Sequence, residues 1–399
     1  MVIKHRFTYG RTPEVLVHNY DGANSYGQLG LGNQDDQLLP QRVSLPDFCD
    51  GSPPQPLANR IRSVTGGGGH SVIIQDDGSL FVCGSNCKGQ LGLNHYNDVP
   101  IFTKVDLPEM VEKVSAGWDF TVILSEKGDM FVCGSNEFGQ LGFHPGGLPQ
   151  TSIPMKVPLP ANYGKIIDIA AGLRHTAVLT AEGKVYCWGI KRKIKDKDLL
   201  TEAVKKSIEI PVLGKEVSVG DKFVKLCAGS FHTLVLTEKG NLWIFGTLKY
   251  GTSTQESLSK GDSIQIVSIP ISLFDGPVTK FTSGWTHCLV ESASGRIYSW
   301  GRGNYGQLGR SCDQSHDSKP QQIQELHDIK SLECGSEHSL VTTDDGRLLA
   351  WGWNEHGMCA TGNEDNVQTP TLVKALSDFL CVDCGSGSGH CFALCKDKT

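Results

Sequence analysis

Short apolar runs of about five residues recur along this chain, each bounded by glycine. One kind of run ends in glycine: LFVCG to Gly84, MFVCG to Gly134, VYCWG to Gly189, LWIFG to Gly246, IYSWG to Gly301 and LLAWG to Gly352. Another kind precedes it and starts at a Gly-x-x-His marker. Between the two lies a polar turn with glycine, such as DDGS at 76–79 or EKGD at 126–129. Strand, glycine turn, strand is the pattern of a β-hairpin.

The marker sets the period. It reads GGGH at 67–70, GLRH at 172–175, GSFH at 229–232, GWTH at 284–287, GSEH at 335–338 and GSGH at 387–390. A seventh copy, GWDF at 117–120, holds Phe120 in the histidine place. Successive markers are 50, 55, 57, 55, 51 and 52 residues apart, which is a repeat array. Each unit offers about four short strands, and one such sheet cannot bury both faces alone. Seven arranged radially bury each face against a neighbour. The last marker, at His390, is followed only by CFALCKDKT, so its partner strand is missing at that end. At the other end GANSYGQLG at 22–30 appears with no marker before it, so the N-terminal strand is expected to complete the final blade. The residues before Gly22 read HNYD at 18–21, a polar strand where other blades are apolar.

Several glycine-terminated strands continue into SN-x-x-GQLG, as in SNCKGQLG at 85–92 and SNEFGQLG at 135–142, with the related RGNYGQLG at 302–309. Together with the markers, these motifs resemble the regulator of chromosome condensation repeat over roughly residues 16–395. The resemblance implies an all-β, seven-bladed β-propeller, with an N-terminal extension at 1–15 and a tail at 396–399. Stretches such as GWDFT at 117–121 and WGWNEHGMC at 351–359 are similar to a branch of the family tied to secretion and guanine nucleotide exchange. That branch implies a small GTPase and an exocyst subunit as partners, and a place in cytoplasm and nucleus. Exchange in the family uses an inserted hairpin wedge and acids inside the marker. Here SNEFGQLG is regular, and the marker positions carry Trp118 and Arg174. A non-catalytic interaction scaffold is therefore the alternative.

Composition agrees with a turn-rich globular chain: 47 of 399 residues are glycine, well above the usual ~7%. The net charge of -6 gives no field for nucleic acid. The N-terminal MVIKHRFTYGRTPEV lacks an apolar leader segment, and no long apolar run is present to insert in a membrane. The 14 cysteines are expected to be reduced thiols, and the chain a monomer.

Candidate chemistry is sparse. No Ser-His-Asp order or paired carboxylates suggest a covalent catalyst, and no cofactor is expected. The marker histidines repeat with the blades and are expected to bond backbone near the channel. CVDCGSGSGHCFALC at 381–395 has zinc-like spacing, with Cys381, Cys384, His390, Cys391 and Cys395. Strand alternation, however, turns Cys391 and Cys395 to one face and His390 to the other, so no metal is expected. GGGGHS at 66–71 lacks the lysine of a phosphate loop and reads as a tight turn. The two residues inside each marker are free to vary and should cluster at the channel mouth. Trp118, Asp119, Arg174, Phe231, Trp285 and Glu337 are the expected partner-binding set.

KRKIKDKDLLTEAVKK at 191–206 replaces the GQLG turn of one blade and reads as a solvated basic insertion. Deleting 191–206 is expected to leave the melting temperature near wild type, because surface insertions cost little to remove. A large loss in a thermal melt would mean that the segment packs into its blade.

Overall fold

The computed structural model describes residues 15–43, 61–143, 146–159, 163–189, 208–210, 221–246, 265–312 and 315–398. The basic insertion at 191–206 lies outside the described residues. The hairpin pattern becomes seven four-stranded antiparallel sheets. Blade 1 spans 61–104, blade 2 111–156, blade 3 166–210, blade 4 223–269, blade 5 278–322 and blade 6 329–372. Blade 7 joins the two ends of the chain.

Blade 1 shows how the local pattern works. Strand β3 (Ile61–Gly66) pairs with β4 (His70–Gln75), which pairs with β5 (Leu80–Gly84), which pairs with β6 (Val99–Lys104). The marker is the loop from β3 to β4, and SN-x-x-GQLG is the loop from β5 to β6. Antiparallel order puts both loops at the same end of the blade. Every residue of β4 is buried, so it reads as a continuous apolar run rather than an alternating one. The opposite turn needs a left-handed residue; Gly295 of blade 5 has φ 80° with no neighbouring atom in the way, so conformation alone selects it.

Burial follows the radial plan. Seven separate apolar clusters occupy the interior, and each is built from two adjacent blades. Between blades 1 and 2, for instance, Val72, Ile74 and Leu80 meet Val111, Val114 and Ile123.

Ring closure is regular. β1 (Val15–Gly22) pairs with β28 (His390–Asp397), and β2 (Gln41–Arg42) pairs with β1. β28 also pairs with β27 (Phe379–Ser386). Gly22 faces His390, as Gly84 faces His70 and Gly352 faces His338. The polar stretch at 18–21 therefore takes the same backbone place as the apolar strands elsewhere. The apolar contribution comes from β28: Phe392 and Leu394 pack on blade 1, while Cys391, Ala393 and Cys395 pack on blade 6.

A polar relay also stitches neighbours together. His390 Nε2 lies 2.8 Å from Ser71 Oγ, whose hydroxyl donates to the Gln28 carbonyl at 2.6 Å. His70 repeats this with Thr121 at 2.9 Å, and Thr121 donates to the Gln90 carbonyl at 2.7 Å. His287 does so with Ser339 at 2.9 Å, and Ser339 donates to the Gln307 carbonyl at 3.2 Å. In each relay the histidine and glutamine belong to one blade and the hydroxyl to the next. The hydroxyl proton is committed to a carbonyl, so the imidazole must donate from Nε2. His175 reaches Thr233, His232 reaches Ser283, and His338 reaches the Cys391 thiol. The marker histidines thus bond the next blade's side chain, not backbone alone.

Burial holds His70, His232 and His338 down at a pKa of about 4, and His287 and His390 at about 3. Each folded pKa lies below the unfolded value of 6.5, so the unfolded chain binds more protons. The stability they carry is present above pH 6.5 and is lost as pH falls toward 4. From pH 7.5 to 5.5 each such histidine should cost about 1.4 kcal/mol. Urea denaturation at the two values checks this. A His287→Asn variant should show a slope shallower by one proton; an unchanged slope would refute the assignment.

Candidate partner-binding face

The loops on the marker side are rigid platforms. In each N-x-x-GQLG loop the asparagine side chain accepts from the leucine amide, as Asn24 does from Leu29, Asn86 from Leu91 and Asn136 from Leu141. The glutamine folds back to accept from the amide two residues earlier, as Gln90 does from Lys88 and Gln140 from Phe138. The leucine is buried, which anchors the loop from below.

The first variable residue of four markers lines the channel mouth: Trp118, Trp285, Ser336 and Ser388. Backbone bonds cross four seams here: Ser230 N donates to Trp285 O, Trp285 N to Ser336 O, Ser336 N to Ser388 O, and Ser388 N to Gly67 O. Trp118 of blade 2 and Trp285 of blade 5 meet at this mouth, with ring centroids 5.1 Å apart and planes tilted by 57°. Such a pair contributes about 0.5–1.5 kcal/mol beyond area burial. Trp118 remains 43% exposed, and Trp285 is half-buried. The run of glycines in blade 1 has a cause here. A side chain on Gly68 would strike the Trp118 ring at 2.7 Å, and one on Gly69 would strike the Tyr26 ring at 2.9 Å.

The second variable residue points toward the blade tops. Arg174 stacks on the Phe138 ring, 4.3 Å from its centroid. Asp119 is half-buried, and burial pushes its carboxyl up, opposed chiefly by the charge of Lys88. Phe231 is half-buried. Trp118, Asp119 and Arg174 therefore share one sector, with Trp285 reaching it across the mouth.

Glu337 departs from the expectation of an exposed flank. It is 8% exposed. Its carboxylate accepts from Thr286 and from Gln307, both at 2.6 Å, and faces Arg302 at 3.4 Å. Burial pushes its pKa up, and these three groups oppose the shift. The residue ties blade 6 to blade 5.

Sequence reasoning passed over Tyr26, Tyr305 and Trp353 on the same side. Tyr26 is 47% exposed, Arg302 lies 4.7 Å from the Tyr305 ring centroid, and Tyr305 lies 6.4 Å from Trp353. The available signal was the aromatic residue directly before GQLG in SYGQLG, EFGQLG and NYGQLG.

In the cysteine-rich tail, strand alternation parts His390 from the cysteines, which pack together between blades 6 and 7. Cys391 turns to His338 in blade 6, and His390 turns to Ser71 in blade 1. Among the described residues no three His, Cys, Asp or Glu side chains converge as a metal site would require.

Replacing Glu337 tests its structural role. Glu337→Ala should cost about 1–3 kcal/mol in urea denaturation, because Thr286, Gln307 and Arg302 lose their acceptor. Glu337→Gln should lose less, since it keeps one acceptor oxygen.

Comparison with known proteins agrees with this architecture. The chain is 39% identical over 403 residues to the secretion-regulating guanine nucleotide exchange factor of Mus musculus, covering 94% of this chain and 82% of that protein. It is 35% identical over 358 residues to the probable E3 ubiquitin-protein ligase HERC4 of Homo sapiens, of which it spans 32%. Prp20p of Saccharomyces cerevisiae, described with its binding properties to Gsp1p and histones, superposes with a TM-score of 0.78 at 21% identity. That alignment covers 98% of this chain and 93% of Prp20p. Human WBSCR16 superposes with a TM-score of 0.77, also at 21% identity, over 98% of this chain and 100% of that one. At such identity the likeness speaks for the fold. A family match to the RCC1-like domain runs from residue 20 to 393, through every blade, and the chain belongs to that family.

Proposed function

We propose that this propeller is a guanine nucleotide exchange factor acting in secretion or vesicle traffic, and that a small GTPase docks on the marker face. The observation that carries this reading is the indole pair at the channel mouth, Trp118 exposed and Trp285 half-buried, on a side of the ring whose loops are held rigid. The 39% identity to a secretion-regulating exchange factor supports a small GTPase as the class of partner. Large aromatic side chains lose little rotamer freedom on binding and bury much area, which suits anchors. Asp119, Arg174 and Phe231 flank them. Exchange requires the nucleotide-free GTPase to be held more tightly than the loaded one. An acceleration of ~10⁴-fold corresponds to about 5.5 kcal/mol of differential stabilisation. An exocyst component is the second partner under this reading, and the protein works as a monomer in cytoplasm and nucleus without a cofactor.

The regular loop at 135–142 favours one other reading. Asn136 and Gln140 make the same bonds as their counterparts in other blades, and no hairpin projects from the loop. A scaffold that docks a trafficking protein without changing nucleotide state needs only the indole face.

Release of a fluorescent guanine nucleotide from a panel of small GTPases separates the two. Exchange predicts acceleration for one GTPase, lost in the Trp118→Ala/Trp285→Ala double variant together with about 2–4 kcal/mol of partner affinity. The melting temperature should stay near wild type for Trp118→Ala. No acceleration across the panel would leave the scaffold reading. A double variant that binds normally would remove the indole face from both.

A further inference from the structure

Cys381 and Cys395 stand directly opposite each other on the neighbouring antiparallel strands β27 and β28. Their sulfur atoms are 3.2 Å apart, and both side chains are buried. Direct cross-strand partners have Cα atoms about 4.5–5.5 Å apart, inside the span a disulfide bridges. The other tail cysteines are not so placed. Cys384 faces Ala393 and lies 3.7 Å from Ser331 Oγ; Cys391 faces Ser386 and contacts His338. All described cysteines are reduced in this structure.

We infer that Cys381 and Cys395 are an oxidation site that closes into a cross-strand disulfide under a peroxide. One thiolate attacks a peroxide oxygen, and the O–O bond breaks to give a sulfenic acid and water. The second thiol then attacks the sulfenic sulfur, the S–S bond forms, and a second water leaves. Two thiols lose two electrons and two protons in all, and the peroxide is reduced to two waters. The contact with Cys381 and burial both push the Cys395 thiol up, so the reaction is slow in the closed ring. The bond would clamp the hairpin whose free edge receives the N-terminal strand, since Leu16 pairs with Cys395. It would therefore act on ring closure, independently of the marker face.

The test uses the full reduced chain treated with hydrogen peroxide, then alkylated in denaturant with N-ethylmaleimide and digested. The expected result is a 381–395 linked peptide, lighter by two hydrogens, with two fewer alkylated cysteines. Dithiothreitol should reverse it, and the oxidised chain should melt at a higher temperature. Cys384→Ser should keep the link and Cys395→Ser should abolish it. Sulfinic acid at either residue without a link, a link through Cys384, or no change after prolonged exposure would each overturn the inference.

Discussion

The relay from imidazole to hydroxyl to carbonyl is the constraint on which the rest of the ring depends. It joins three residues that local sequence keeps far apart: a marker histidine, the Ser or Thr after the next marker, and the glutamine of a GQLG loop. Each group is a strong hydrogen-bonding partner buried at the seam between blades, where an unpaired polar atom is costly. The relay therefore fixes the relative height and rotation of neighbouring blades, which apolar packing alone does not. It also explains the marker glycine. A side chain on Gly67 would meet the His70 ring at 2.3 Å and the Gly117 carbonyl at 2.2 Å. Histidine, hydroxyl, glycine and GQLG are parts of one device.

What the device leaves free becomes the candidate face. Between Gly and His the chain must spend two residues turning, and neither is needed for the relay. The first is tied to a neighbouring blade by its backbone, as Trp285 is through its amide to Ser336 O and Trp118 through its carbonyl from Gly68 N. The second rises over the loops. A side chain in the first position is therefore held on a stiff ring even when it is exposed, and two indoles there are positioned before any partner arrives. Preorganisation of that kind lowers the entropy cost of binding.

The fold was legible because period, marker and hairpin all repeat, and each copy says the same thing. The closing strand was harder. The polar letters at 18–21 argued against it, yet its register is set by backbone pairing to β28, with Gly22 opposite His390. The site was legible only in part. Trp118 and Trp285 could be placed near the mouth, but their contact joins blades 2 and 5 and has no signature in the chain. Glu337 looked like a flank because its position is variable. Its partners, Thr286, Gln307 and Arg302, lie on the neighbouring blade, 51, 30 and 35 residues away in sequence. The glycine run of blade 1 is explained by rings from blades 7 and 2. In each case the missing information is a contact between blades, and a repeat read one unit at a time does not contain it.

Blade 2 shows that the relay can be replaced at one seam. Phe120 takes the histidine place, is fully buried, and joins the apolar cluster between blades 2 and 3. The glycine is still required, since a side chain on Gly117 would meet the Phe120 ring at 2.1 Å. The rest of the device is also intact: the Thr176 hydroxyl and the Trp188 indole both donate to the Gln140 carbonyl, at 2.7 and 3.0 Å. The Lys113–Asp168 ion pair and the bond from Ala171 N to Ser115 Oγ, at 2.9 Å, cross the same seam. Apolar volume and two polar crossings thus take over the work of one imidazole. The same blade carries Trp118, whose carbonyl accepts from Gly68 N at 3.0 Å. Recognition residues can vary at the mouth because the seam below is secured in more than one way.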